Sequence, residues 1–244
     1  MTRKNLILLG VLLAAACVLP FVVTNYRVFQ FTLVLVYAIG AYVAAILMDK
    51  WGVPYWATLP AAGAVCLLAG FLFGLPALRL EGLYLALATF ALGVSLPQLL
   101  KYHLLEKWTG GVQGITIIKP DAPAFLTNSG LPLNPDRWLY FFTLAITVLM
   151  FVLGRNLLRG RVGRAMLAIR DHHLAAEAMG INTALYKSLT FGVSAMYTGV
   201  AGALGAIAVQ FVAPDSFGLF LSLSLLIGIV IGGLASLSGA IYGG

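Results

Sequence analysis

The feature that most constrains this 244-residue chain is a series of long apolar runs that contain no Asp, Glu, Lys, Arg or His. A helix needs about 20 residues to cross the ~30 Å hydrocarbon core of a bilayer, and most of the runs approach or exceed that length. The runs are residues 6–23, 28–48, 56–78, 83–100, 138–153, 188–212 and 217–237. We therefore expect an all-α, polytopic membrane protein with about seven transmembrane helices in a single transmembrane domain over residues 1–244.

The scarcity of charge supports a membrane protein. Charged residues make up 9% of the chain, against roughly a quarter in soluble domains. Water cannot solvate most of such a surface, which excludes a soluble enzyme and a disordered chain. The net charge of +7 does not indicate nucleic-acid binding, because the most basic segment carries a single aromatic residue, Tyr186.

The polar connections predict the topology. Residues 154–187 carry six Lys or Arg against two acids, so the positive-inside rule places this loop in the cytoplasm. Counting crossings from there puts the loop at residues 101–137 outside. The same count puts the N-terminus, with Arg3 and Lys4, outside against the rule, and one further crossing between residues 28 and 48 would restore agreement.

The cytoplasmic loop predicts a helix over residues 163–181. Ala, Leu, Met and Glu favour the helix, Gly180 is placed to end it, and Asn182 is placed to cap the next one. Its apolar residues are too few for a core of their own, so another surface must cover them. From the residues alone, that surface is either a partner protein or the lipid headgroups.

The sequence does not predict a metal site, an ATP site or a cofactor. His173 and Glu177 are four residues apart on the helix, but a third ligand is not close in sequence and the arginines repel a cation, so we expect no metal site. A phosphate-binding GxxxxGK motif is absent, so we expect no ATP site and no cofactor in this chain. Ion-coupled carriers usually hold ionisable groups within the membrane, so the driving energy for any transport is expected to come from a partner.

Several motifs carry a family resemblance. Residues 164–172 and 175–182 resemble the coupling loop of ABC-importer permeases, and they are most similar to the M-type (LivM-like) branched-chain amino-acid permeases. Residues 78–87, 109–115, 199–204, 214–217 and 231–239 resemble further motifs of that family. Together these motifs cover most of residues 76–239.

The resemblance implies a fold, a function and partners. It implies the ABC-importer permease architecture and a transport subunit, not an enzyme, that translocates branched-chain amino acids across the bacterial cytoplasmic (inner) membrane in several passes. It also implies a second permease subunit, two cytoplasmic ATPase subunits and an external solute-binding protein. The alternatives are an ion-coupled secondary carrier, an ABC permease for a sugar, urea or an amide, and a passive channel or structural subunit.

The resemblance also implies site residues. Met166, Ile169 and Leu174 would fill a groove on the ATPase, while Arg164, Arg170 and Glu177 set the register by charge. The full ATPase-coupling set is Gly163, Arg164, Met166, Ile169, Arg170, Leu174, Ala176, Glu177 and Gly180. The loop facing the binding protein contains Thr109, Gly110, Gly111 and Gly114. The expected substrate path contains Thr89, Gly232, Gly233 and Ser236.

The chain departs from the family pattern near residues 36–40. Family members carry a Gly-rich segment before the Gly40-Ala41-Tyr42 motif, whereas here residues 37–42, which contain the motif, follow residues 31–36 directly. We therefore expect an internal deletion at this point, which would fuse two helices and would also account for the N-terminal orientation. We further expect a truncated C-terminus, because members continue with hydrophobic sequence after residue 239.

Overall fold

The computed structural model describes residues 25–77, 95, 97–120, 135–233 and 239–242. The long helices are α1 (Asn25–Trp51), α2 (Tyr55–Ala77), α4 (Pro135–Arg159) and α7 (Thr183–Val209). The shorter helices are α3 (His103–Thr109), α5 (Arg161–Asp171), α6 (His173–Ala178), α8 (Leu219–Gly232), α9 (Gly239–Tyr242) and a 3-10 turn at Pro214–Phe217. Two short strands, β1 (Ile115–Thr116) and β2 (Phe211–Val212), complete the described elements.

Four of these helices are long and apolar enough to cross a membrane. The candidate spans are Val34–Trp51, Tyr55–Gly74, Pro135–Arg159 and Thr183–Val209. The expected total of seven is not confirmed, because the run at 6–23 and most of the run at 83–100 lie outside the described residues. The last run contains α8, whose 14 residues extend only ~21 Å and are too short to cross the hydrocarbon core.

Helices α1, α2 and α7 pack together through small residues. Gly70 and Gly74 of α2 face the first half of α7, where a Cβ atom on Gly70 would lie 2.3 Å from the Cβ atom of Ala195. On the other side of α7, a Cβ atom on Gly202 would lie 2.1 Å from the carbonyl oxygen of Tyr37 in α1. Close backbone approach of this kind is the usual basis of helix packing in lipid, where the hydrophobic effect does not drive helices together.

A short β-ladder, which the sequence analysis did not predict, accompanies the helices at one end of the bundle. Strands β1 and β2 are antiparallel, with Ile115 opposite Val212 and Thr116 opposite Phe211. The pairing continues through a hydrogen bond of 2.8 Å from the Ile117 N–H to the Gln210 carbonyl. The predicted span at 188–212 therefore ends earlier, at Val209, and Gln210 turns the chain with a φ of 63°.

The bundle has two distinct ends. The sheet end carries β1, β2 and the start of α2, and α4 also begins there, because the Trp138 Nε1–H donates a 3.0 Å hydrogen bond to Tyr55 Oη. The basic end carries α5, α6 and the start of α7, and the end of α2 lies there, since Gly74 packs against Ser188. The loops expected outside and in the cytoplasm thus lie at opposite ends of the bundle.

Candidate functional site

At the basic end, the chain between α4 and α7 forms two short helices instead of the expected continuous one. The chain leaves the helical conformation at His172, which has φ −153° and ψ 98°. Helix α6 begins at the next residue, and the His172 carbonyl accepts a 3.0 Å hydrogen bond from the Ala176 N–H. The sequence prediction of one helix over 163–181 was therefore wrong at this residue.

The predicted helix end at Gly180 is confirmed. Gly180 has a φ of 82°, a conformation that glycine adopts without steric cost. Its N–H donates to the Glu177 carbonyl at 2.9 Å, and the Ile181 N–H donates to the Ala176 carbonyl at 3.0 Å. These two bonds form a Schellman motif, which satisfies carbonyl groups at the end of a helix.

The predicted cap at Asn182 is also confirmed, and a second polar contact reinforces it. The Asn182 side chain accepts a 3.1 Å hydrogen bond from the Leu185 N–H at the start of α7. The hydroxyl of the buried Thr183 donates to Glu177 Oε1 at 2.5 Å. Glu177 thus fixes the end of α6 to the start of the long helix α7.

The expected coupling residues divide between two surfaces. Gly163 and Ala176 are buried, and a Cβ atom on Gly163 would lie 2.2 Å from the Leu158 carbonyl oxygen, so glycine lets α5 turn tightly against α4. Met166 and Ile169 are half-buried and line a cavity between α5 and α7. Leu174 is 69% exposed and lies on the outer surface.

Two further apolar residues of this segment, which the sequence analysis did not assign to coupling, are exposed. Met179 is 85% exposed and Leu167 is 42% exposed. The signal for Met179 was present in the sequence, since it belongs to the apolar set of this segment. Leu167 also lines the cavity between α5 and α7, so only Leu174 and Met179 are named below as the outer apolar patch.

The basic residues of this segment make local contacts. Arg164 donates from a guanidinium nitrogen to the Arg159 carbonyl at 3.1 Å, which helps to fix the turn between α4 and α5. Arg170 Nε lies 3.2 Å from Asp171 Oδ1, and both side chains are exposed. A surface pair of this kind contributes little to stability, so the arginine remains available to other anions.

At the sheet end, Thr109 organises the loop that was expected to face a binding protein. Its side chain is buried, and its hydroxyl is within hydrogen-bond distance of the Leu100 carbonyl (2.8 Å) and the Leu105 carbonyl (3.0 Å). The Gly111 N–H donates back to this hydroxyl at 3.3 Å. Thr109 therefore has a structural role at the end of α3.

The three expected glycines bend this loop and bring it against β2. Gly110, Gly111 and Gly114 all have positive φ angles, and a Cβ atom on Gly114 would lie 2.5 Å from the Val212 carbonyl oxygen. The surface of the loop is formed by Val112, which is 67% exposed, and by the exposed Gln113. An incoming protein would meet these two side chains before the glycines.

Ion pairs connect this loop to the rest of the sheet end. Lys101 Nζ lies 2.6 Å from Asp215 Oδ1, and Lys119 pairs with Asp136 in the first turn of α4. Each pair joins parts of the chain that are distant in sequence or in different elements. The loop is therefore held at both of its margins.

The expected substrate path is described only in part. Thr89 and Ser236 lie outside the described residues. Gly232 ends α8, and Gly233 follows it with a φ of 96°. Of the four expected residues, the structure therefore describes only these two glycines.

Two buried hydroxyl groups were missed by the sequence analysis. Among the described side chains, Tyr42 Oη and Ser188 Oγ are buried without a hydrogen-bond partner. An unsatisfied hydroxyl in an apolar environment is costly, so both are candidates to contact a polar solute. A hydroxyl within an apolar run was the only signal in the sequence, and it does not distinguish these residues from other Ser, Thr and Tyr.

Comparison with known proteins gives consistent matches. The family model described as "Branched-chain amino acid transport system / permease component" matches residues 3–244. The chain is 36% identical over 220 residues to the high-affinity branched-chain amino acid transport system permease protein LivM of Escherichia coli (strain K12). The LivM protein of Salmonella typhimurium matches with the same identity and length.

The matches cover much of this chain but less of its relatives. The aligned region covers 82% of the chain and 51% of each relative, so the chain spans about half the length of the curated relatives it matches. No solved structure gives a significant match.

Proposed function

The chain belongs to the branched-chain amino acid transport system permease family, and from this premise we propose that it is a membrane-spanning permease subunit of an ABC importer for branched-chain amino acids. The family and the four candidate spans make it a multi-pass membrane protein and a transport component, not an enzyme. The proposed location is the bacterial inner membrane. The proposed partners are a second permease subunit, two ATPase subunits and a solute-binding protein.

The single observation that carries the proposal is the helix pair α5–α6 at the basic end. This pair presents the outer apolar patch on a segment with an excess of basic residues. It is joined firmly to α7 through Asn182 and through the contact between Thr183 and Glu177. A movement of α6 would therefore be transmitted to a helix that crosses the bundle.

The absence of charge from the apolar runs supports an ATP-driven mechanism over an ion-coupled one. None of the runs contains Asp, Glu, Lys, Arg or His, and a carrier that couples to ions usually needs such groups within the membrane. ATP hydrolysis in partner subunits would supply the energy instead. Closure of the ATPases would push on α5–α6 and shift the membrane helices between outward-open and inward-open states.

At the sheet end, we propose that the loop around Thr109 and Gly114 receives the solute-binding protein. The structural support is its surface of Val112 and Gln113 and its attachment to β2 at the end of α7. The same long helix thus reaches both proposed docking regions. The substrate path remains proposed for Thr89, Gly232, Gly233 and Ser236, and Tyr42 and Ser188 are added because their hydroxyl groups lack partners among the described residues.

Co-purification with the ATPase subunits tests the proposal. The double variant Leu174→Asp/Met179→Asp places two carboxylates on the outer apolar patch, and Val112→Asp is the control, because Val112 is similarly exposed but lies at the sheet end. We expect ATPase recovery on a tagged chain to fall at least tenfold for the double variant, as for the loss of interface hot spots, and to stay unchanged for the control. Equal recovery from both variants would show that α5–α6 is not the coupling element.

A further inference from the structure

A cavity at the basic end is not explained by the proposed function. It has a volume of about 390 Å³ and lies between α5, the end of α4 and the first turns of α7. Its walls include Leu158, Met166, Ile169 and Phe191, and its charged lining residues are Arg170 and Lys187. The volume lies in the range typical of ligand sites. We name it the α5–α7 cavity.

The charge of the cavity selects an anionic ligand. Both of its charged side chains are cationic, and no acidic residue lines it among the described residues. Lys187 forms no ion pair within the described part of the chain. Arg170 has only its Nε engaged by Asp171, and the guanidinium group has four further N–H donors.

The two acidic residues of this segment do not neutralise the positive charge of the cavity. Asp171 is already paired with Arg170, and Glu177 accepts a hydrogen bond from Thr183. Residues 154–187 keep an excess of four positive charges, from six basic and two acidic residues. The cationic rim therefore lies in a region of positive potential.

The position of the cavity relative to the bilayer favours a lipid as its ligand. Helix α7 has 27 residues and a length of ~40 Å, which exceeds the ~30 Å hydrocarbon core by ~10 Å, or roughly seven residues. The excess lies at the basic end, because the last turns of α7 are apolar up to Val209, whereas its first turns contain Thr183 and Lys187. Lys187 thus lies near the headgroups, and Phe191, one turn further, lies at the start of the hydrocarbon.

From these observations we propose that an anionic phospholipid occupies the α5–α7 cavity, with its phosphate group between Arg170 and Lys187 and an acyl chain against Met166, Ile169 and Phe191. Basic pockets on the cytoplasmic side of membrane helices are known to bind acidic headgroups. The lipid covers the inner face of α5 and leaves the outer apolar patch free. It would support the helix pair from the membrane side.

Titration of the purified full chain in neutral detergent micelles tests this proposal without any transport partner. The readouts are the shift in melting temperature on addition of phosphatidylglycerol, and the number of bound lipids seen by native mass spectrometry. The test variant is Arg170→Gln/Lys187→Gln. Its control is Arg155→Gln/Arg161→Gln, which removes the same charge from exposed residues that do not line the cavity.

We expect only the cavity variant to lose phosphatidylglycerol binding, and we expect phosphatidylglycerol to stabilise the chain more than the other additives do. A cation near a phosphate contributes about a fivefold change in affinity, so the cavity variant should bind phosphatidylglycerol roughly 25-fold more weakly. The control should change by less than about twofold, since a single micellar lipid in the cavity does not contact Arg155 or Arg161. Phosphatidylcholine and inorganic phosphate should each produce less than a third of the thermal shift.

A second variant keeps the test valid if the charge variant does not fold. Thr190 lines the cavity and is exposed, so Thr190→Trp should fill the space with no change in charge and should also weaken phosphatidylglycerol binding at least fivefold. Equal losses in the cavity variant and its control would overturn the proposal in favour of general surface attraction. Full stabilisation by inorganic phosphate or by phosphatidylcholine would also overturn it.

The result is independent of the proposed transport function. Lipid binding is measured without the ATPase, and ATPase co-purification is measured without the lipid titration. A negative lipid titration therefore does not count against the proposed transport function. A negative co-purification does not count against the proposed lipid site.

Discussion

At the crossing of α1, α2 and α7, single residues set the distance between helix backbones. Gly199 and Gly202 of α7 lie so close to α1 and α2 that any side chain would collide with them. The GxxxG spacing of Gly70 and Gly74 is visible in the sequence, and the structure places both glycines at the contact with α7. Gly199 and Gly202 belong to the family motif at residues 199–204, but their packing role was not predicted, because spacing shows which glycines share a helix face and not which helix packs there.

Replacement of Gly202 by valine should destabilise the bundle. The new side chain would meet the Tyr37 carbonyl, since even a Cβ atom would lie 2.1 Å from it, and such overpacking typically costs about 1–3 kcal/mol or more. We expect the melting temperature in detergent to fall by several degrees. The control Ala208→Val adds bulk to an exposed residue of the same helix and should leave the melting temperature within about one degree; equal shifts would contradict the packing described.

A second residue-scale prediction concerns the contact between Thr183 and Glu177. Hydrogen bonds to a charged group contribute about 1.5–3 kcal/mol, so Thr183→Val should speed amide hydrogen exchange in residues 177–185 about tenfold or more. Thr183→Ser keeps the hydroxyl and is the matched control, with exchange close to that of the parent. Equal protection in both variants would show that the hydroxyl does not hold α6 to α7.

At the scale of elements, the sequence predicted what depends on local chemistry. The end of α6 at Gly180 and the start of α7 at Asn182 were predicted correctly, because a positive φ and a capping side chain are properties of single residues. The expected span at 188–212 began too late, since hydropathy does not detect the polar first turn of α7 that Asn182 caps. The break at His172 was missed because histidine has no strong preference against a helix.

The β1–β2 pair was missed for a different reason. Two-residue strands are too short to show an alternating pattern. Their pairing joins residues almost a hundred positions apart, which no local feature encodes. The strands became apparent only when the loop after α3 and the end of α7 were placed together.

Disulfide trapping tests this pair directly. Thr116 and Phe211 are directly opposite and form a non-hydrogen-bonded pair, whose Cα atoms are typically about 4.5 Å apart, within disulfide range. We expect Thr116→Cys/Phe211→Cys to cross-link on mild oxidation. The pair Ile118→Cys/Phe211→Cys is diagonal, with an expected separation of about 7–8 Å, and should remain largely reduced; efficient cross-linking of the control alone would indicate a different register.

For the whole molecule, composition and motifs were sufficient for the membrane class and the family. The charge-free apolar runs exclude a chain whose surface is mainly solvated by water. The motif resemblance agrees with the family match over residues 3–244. The number of spans was not confirmed, because it depends on segments outside the described residues and on the short helix α8. Helix α1 is continuous through residues 36–40, and the deletion expected there stays a prediction.

The division of the coupling residues between two surfaces also required the whole structure. The family resemblance implied that Met166, Ile169 and Leu174 fill one groove on the ATPase, which assumes a single straight helix. The break at His172 lets α5 direct Met166 and Ile169 towards α7, while Leu174 on α6 stays exposed. The proposed contact with the ATPase therefore moves to the outer apolar patch.

Uptake into right-side-out membrane vesicles distinguishes import driven by ATP from import driven by a proton gradient. The vesicles should contain the chain with its ATPase subunits, the second permease and the solute-binding protein, and labelled leucine is the solute. ATP-driven import predicts uptake when internal ATP is supplied and a protonophore abolishes the proton gradient, and no uptake when ATP is depleted and the gradient is kept. Uptake that follows the proton gradient and ignores ATP would contradict it.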